Sequence, residues 1–208
     1  MFTHGEAKSV YLRNYSHLFI HIGPMLPFRV SICGLNELAE FMHSDVSHAI
    51  SILDPDWPDP HELTHLPAQN RLILRFDDVT FAQPSHSHPG SNDIEKLIMW
   101  GRSLIEFGAQ HLLVHCHAGV SRSTAAAAIL MVANNPGQEA RAFEDVNSIR
   151  PKNWPNSMMI NLADAELGCE GAFTNALRVH HARVAERDSN LAQLIKLHGR
   201  AHEIPEGI

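Results

Sequence analysis

A short apolar run, His111 to Cys116 (HLLVHC), is joined by a four-residue turn to an alanine-rich stretch running from Ser121 to about Asn135. An unbroken apolar run of this length fits a strand covered on both faces. Alanine is the strongest helix former, so the stretch after the turn reads as a helix. Strand, tight turn and helix in immediate succession are the opening of a β-α unit. Further strand patterns occur at Arg29–Cys33, Val46–Leu53 and Arg71–Phe76. Helical patterns occur at Asn36–Met42, Ser91–Phe107, Gln138–Ile149, Ser157–Leu167 and across residues 171–198. One edge strand is also plausible within residues 1–29. Ser91-Asn92-Asp93 reads as an N-cap cluster and Gly108 as a C-cap. Strands alternating with helices predict an α/β fold, a central and mostly parallel β-sheet flanked by helices.

The chain has 208 residues, enough for one core without disulfide staples. Hydrophobic residues make up 44% and charged residues 19%, which excludes disorder as the main state. The net charge of −7 argues against a nucleic-acid surface. The 16 histidines should make the charge swing upward just below neutral pH, most of them as surface residues. Three cysteines, Cys33, Cys116 and Cys169, form no disulfide pattern and fit a reducing, cytoplasmic compartment. No signal-peptide pattern and no 18-residue apolar segment is present, so no membrane association is expected. The reading is one domain over 1–208, with its core at about 30–168 and a helical extension at 171–208.

The turn itself carries the chemistry. Cys116 ends the strand and Arg122 begins the helix, with His117, Ala118, Gly119, Val120 and Ser121 between them. Gly119 permits a tight curl. The amides of such a curl form an anion nest continuous with a helix N-terminus. Arg122 adds a planar, two-pronged phosphate contact. The Cys116 sulfur then lies in a positive field that favours the thiolate, a nucleophile facing a bound phosphoryl group. Ser123 is placed to hydrogen-bond the sulfur and help it leave, and His115 to orient the loop through backbone contacts.

His115 to Ser123 resembles the signature loop of the cysteine-dependent protein tyrosine phosphatases, and Ala118 to Ser123 (AGVSRS) is closest to the dual-specificity branch. Arg150-Pro151 and Pro155-Asn156 resemble elements that follow the signature helices in that branch. The resemblance covers about residues 30–168 and implies a metal-independent phosphatase with no cofactor. It also implies an aspartate, on the loop after the strand that precedes the long helix, as proton donor and then base. Asp77 and Asp78 stand there, and Asp78 is preferred because it lies further from the strand end. The loop that follows carries His86 and His88, read as exposed.

The implied activity is hydrolysis of phosphotyrosine, with phosphoserine and phosphothreonine open, through a cysteinyl-phosphate. The absence of lysine between Cys116 and Arg122 leans away from inositol phosphates. Two alternatives stand beside it: a phosphate-binding module without turnover, and a phosphatase of a non-protein phosphomonoester. A metal site at His111, His115, Cys116 and His117 is disfavoured, because the spacing matches no usual ligand pairing. In the extension, Leu191, Leu194 and Ile195 form an apolar stripe. It is read as packing back on the domain, with a homodimer contact as the alternative. Cys33 and Cys169 are read as small core residues, with an oxidative disulfide to Cys116 as a further option.

Overall fold

A computed structural model describes residues 23–41 and 44–204. The edge strand expected before residue 29 and the end of the Asn36–Met42 helix therefore fall largely outside the described residues.

Four strands, β1 (Arg29–Gly34), β2 (His48–Leu53), β3 (Arg71–Arg75) and β4 (His111–Cys116), form a sheet in the order β1-β4-β2-β3. All three pairings are parallel, so every strand ends at the same edge. In register, Gly34 lies beside Cys116 and Ser51 beside His115. Six α-helices follow: α1 (Ser91–Glu106), α2 (Arg122–Asn134), α3 (Glu139–Ile149), α4 (Ser157–Leu167), α5 (Ala172–Arg187) and α6 (Ser189–Leu197).

The two faces of the sheet are covered differently. Ile32, Ile50, Ile52, Leu112, Val114 and Cys116 pack with residues of α1 to α5 in the main core. Cys33, Ala49 and Leu113, which alternate with them, pack against Leu38 and Leu63 of two short 3-10 helices. The expected helical stretch after Gly34 is one of these, a 3-10 helix at Leu35–Phe41. The alanines of α2 have a plain use. Every residue from Arg122 to Ala133 is buried, so the helix has no solvent face to make polar.

Three local expectations need correction. The cap of α1 is Gly90, one residue before the Ser-Asn-Asp cluster, and Asp93 supplies the carboxylate that accepts from the Gly90 N–H at 3.0 Å. The helix ends at Glu106 with Phe107 as its C-cap, and Gly108 follows in the left-handed region at φ 66°. Residues 171–198 are two helices, because Asp188 leaves the helical conformation and its side chain caps α6, accepting from the Leu191 N–H at 2.9 Å.

Candidate active site

The parallel sheet brings the ends of all four strands to one edge, where open α/β sheets hold their ligands. Cys116 is the last residue of β4, and the loop 117–121 leads directly into α2. Gly119 has φ 68°, and a Cβ there would lie 2.5 Å from the Cys33 carbonyl carbon and 2.6 Å from the Gly34 nitrogen. The loop is thus pressed onto the end of β1, and only glycine fits both the angle and the space.

Backbone and side chains then brace it. The Leu35 N–H donates to the His117 carbonyl at 3.0 Å, and the Trp154 N–H to the Val120 carbonyl at 2.8 Å. Arg150 donates through Nε to the Gly119 carbonyl at 3.1 Å while its Nη1 pairs with Glu37 at 2.8 Å. All of these contacts use loop carbonyls. Among the described residues, none of the backbone N–H groups from His117 to Ser121 donates to a protein acceptor. The loop therefore keeps a row of unspent donors beside Cys116, at the N-terminus of a helix.

Cys116 is buried, and its Sγ lies 3.2 Å from Ser123 Oγ. Arg122 is buried as well. Its Nη1 donates to Asp54 Oδ1 at 2.7 Å and to the Phe76 carbonyl at 2.5 Å, whereas its Nε is buried with no partner. His117 faces the same aspartate: the Asp54 N–H donates to its Nε2 at 3.3 Å, and the Asp54 carboxylate lies 3.6 Å away. Partial burial lowers the His117 imidazole below its ordinary value, in keeping with a neutral ring that accepts at Nε2. Trp57 stands edge-on to His117 at 4.6 Å between ring centres and is half exposed. Arg75 holds this proline-rich segment in place, donating to the Trp57 carbonyl at 2.6 Å and pairing with Asp59.

The two candidate acids are separated by the structure. Asp77 is turned into its own loop, accepting from the Ser87 N–H at 2.8 Å. Asp78 reaches the signature loop: its Oδ1 accepts from Ser121 Oγ at 2.7 Å and from Asn156 Nδ2 at 2.8 Å. Asn156 is buried, caps α4 by accepting from the Met159 N–H at 3.0 Å, and donates to the Val79 carbonyl at 3.0 Å. One aspartate thus shapes the loop and the other enters the site.

His115 Nε2 is 2.6 Å from Ser51 Oγ on the neighbouring strand, and the Cys116 backbone also acts on the ring. Burial takes its imidazole down to about 4. The other histidines of that stretch diverge: His111 meets Ser31 and Asp45, and His117 meets Asp54. Among the described residues no group of three or more potential ligands gathers at one point.

The remaining candidates separate clearly. His86 and His88 are exposed. Cys33 packs in the core on the sheet face opposite that of Cys116, and Cys169 lies just past α4. Burial drives the Cys33 thiol up to about 12. In α6, Leu191 and Ile195 pack on Trp154 as expected, while Leu194 stays exposed. No helix among the described residues is long and apolar enough to cross a membrane.

Sequence reasoning missed three residues at this edge: Asp54, Trp57 and Arg200. Asp54 carried a signal, as an aspartate at the end of an apolar strand. Arg200 carried none. It sits past α6, is 8% exposed, and donates through Nη1 to Ser121 Oγ at 2.8 Å.

This fold occurs in known structures. The chain is similar to the Cydia pomonella PTP-2 phosphatase, with a TM-score of 0.55 and 21% identity, over 68% of this chain and 87% of that one. It is similar to the human tyrosine phosphatase-like serine/threonine/tyrosine-interacting protein, with a TM-score of 0.54 and 18% identity, over 71% and 95% of the two chains. It is also similar to human DUSP28, with a TM-score of 0.51 and 18% identity, over 69% and 94%. No family model and no curated protein matches the sequence. The fold is that of the cysteine-dependent tyrosine and dual-specificity phosphatases.

Proposed function

We propose that the protein is a cysteine-dependent phosphatase of phosphomonoesters, acting on phosphotyrosine and with phosphoserine and phosphothreonine as further substrates. One observation carries this reading. In the loop beside Cys116, among the described residues, no protein group accepts from the N–H groups of residues 117–121 or from the buried Nε of Arg122. Leaving a buried donor such as Arg122 Nε unpaired costs roughly 1–3 kcal/mol, which favours a ligand that accepts from it and from the loop amides. A tetrahedral oxyanion has that shape and charge.

The chemistry follows from the positions. The Cys116 thiolate attacks phosphorus, and the bond from phosphorus to the ester oxygen breaks as the cysteinyl-phosphate forms. Asp78 gives its proton to the departing oxygen. Water then attacks the phosphorus, Asp78 takes the water's proton, and the sulfur leaves as thiolate, eased by a hydrogen bond from Ser123. Arg122 and the loop amides hold the equatorial oxygens throughout. His117, Ala118, Gly119, Val120 and Ser121 are binding residues through their backbone. His115, Asp77 and Asn156 support the site from behind. Trp57 and His117 at the rim offer ring surfaces to an aromatic ester, which supports phosphotyrosine.

The test is hydrolysis of para-nitrophenyl phosphate in EDTA, with Cys116→Ser beside the wild type. Turnover by the wild type and its loss in the variant, by about a thousandfold or more, supports the reading. Turnover that survives Cys116→Ser overturns it. A wild type that binds phosphate without turning over would be a binding module instead.

A further inference from the structure

The chain beyond α6 does not trail away from the site. It turns at Gly199, where φ is 76°, and Arg200 enters the space beside the signature loop. Its side chain is 9% exposed. Nε donates to Glu203 Oε2 at 2.6 Å, Nη1 donates to Ser121 Oγ at 2.8 Å, and Nη1 lies 3.6 Å from Asp78 Oδ1. Glu203 is buried too, and it also accepts from Trp154 Nε1 at 2.9 Å and from the Ser157 N–H at 3.2 Å. Burial acts to raise the Glu203 carboxyl, but the charge and hydrogen bond of Arg200 outweigh it and hold the group below its ordinary value. One residue away, His202 contacts Thr80 at 3.1 Å and Phe81 at 5.7 Å between ring centres, both on the segment that follows Asp78.

The proton positions here follow from chemistry. Arginine only donates. Ser121 Oγ therefore accepts from Arg200, and its single proton goes to Asp78 Oδ1. The Asn156 amide donates to the same oxygen. Among the described residues both hydrogen bonds to this carboxylate end on Oδ1, and none reaches Oδ2. Oδ2 is the oxygen left to carry a proton to a leaving group.

We propose that Arg200 is a positioning residue for the general acid: through Ser121 it fixes which oxygen of Asp78 is held and which is presented to the substrate. This rests on the reading of Asp78 as the acid. Arg200 touches no reacting atom. The segment 199–204 is thereby part of the catalytic unit and not an appendage to it.

The test uses leaving groups of different basicity, because a poor leaving group needs the acid and a good one does not. Arg200→Met should lower kcat/KM on phenyl phosphate by about tenfold or more, with kcat/KM on dinitrophenyl phosphate and inhibition by inorganic phosphate within about twofold of wild type. Asp78→Asn should show the same pattern more strongly, and the double variant should be no worse than Asp78→Asn alone. Ser121→Ala cuts the link without touching the segment 199–204, and keeps the test available if Arg200→Met fails to fold. Equal losses on both esters, or losses that add to those of Asp78→Asn, overturn the proposal for Arg200 alone. An Asp78→Asn variant with no dependence on the leaving group overturns the acid assignment, and the role of Arg200 with it.

Discussion

Asp54 and Arg122, 68 residues apart in the chain, meet at 2.7 Å between Oδ1 and Nη1. The contact takes one nitrogen of the guanidinium and, with the Phe76 carbonyl, sets the plane of the fork. It leaves the buried Nε for another acceptor. The proposed two-pronged phosphate contact needs the fork held before the ligand arrives, and Asp54 contacts it from the end of β2.

Replacing Asp54 removes the holder. Asp54→Ala should weaken inhibition by inorganic phosphate about tenfold and raise KM by a similar factor, with kcat changing less, since the loss is of one charge-assisted contact. The carboxylate is partly exposed, so the cost in folding stability should be modest, about 1 kcal/mol in urea denaturation. Phosphate inhibition equal to wild type would show that Arg122 holds its fork unaided.

Gly119 is the position least able to change. Gly119→Ala meets both a positive φ and backbone atoms of Cys33 and Gly34 that cannot move aside. The expected outcome is loss of activity by about a hundredfold or more, with a stability loss of about 1–3 kcal/mol by urea denaturation. Crystals of the variant should show the loop displaced from β1. An active Gly119→Ala enzyme would mean that the observed curl is not the working one.

Asn156 joins two functions in one amide. Its Oδ1 caps α4 and its Nδ2 holds Asp78 and the Val79 carbonyl. Asn156→Ala should destabilise the fold by about 1–2 kcal/mol through the lost cap. It should also depress turnover of phenyl phosphate more than that of dinitrophenyl phosphate. Asn156→Asp keeps the cap and loses the donor, so it should recover stability without recovering the leaving-group pattern.

Stability should fall as the solution is acidified from neutral. Burial lowers His115 and His181 to about 4 and His180 to about 3. Above the unfolded value of about 6.5, both states are neutral at these rings and the groups are silent. Below it the unfolded chain takes up protons that the folded chain refuses, until the folded values are reached. Stability is thus fully present above about pH 6.5 and is lost progressively toward about pH 4, at up to about 4 kcal/mol per pH unit if all three rings contribute. Urea denaturation at several pH values between about 7.5 and 4.5 measures it. A stability that does not change between about pH 7 and pH 5 contradicts the buried neutral rings.

The strand–loop–helix at Cys116 was legible in the sequence because everything it needs is local. An apolar strand, a glycine at the tight curl, an arginine at the helix start and a run of alanines occupy one stretch, 111–135. Their geometry follows from strand and helix preferences acting over a few residues. Asp78 was preferred over Asp77 in the sequence for its place one residue further from the strand end, but the contacts that set the two apart were not legible. That difference comes from which side chain Ser87 or Ser121 engages, and both lie far along the chain or across a loop.

Capping was read one residue late at α1, because Asp93 can serve either as part of a cap cluster or as the carboxylate reaching back to Gly90. The break at Asp188 was hidden because a charged residue in a charged helical pattern gives no periodic signal until its side chain is seen to cap α6.

The sequence by itself determined the α/β class, the strand–loop–helix at Cys116 and the residue types of the proposed phosphate nest. Only the tertiary structure decided that Asp54 holds Arg122, that His115 leans on Ser51, and that Arg200 stands behind Ser121 and Asp78. The reason is physical. Local propensity acts over a few residues, whereas the partner of a buried charge is chosen by which distant segments the packed core brings into contact.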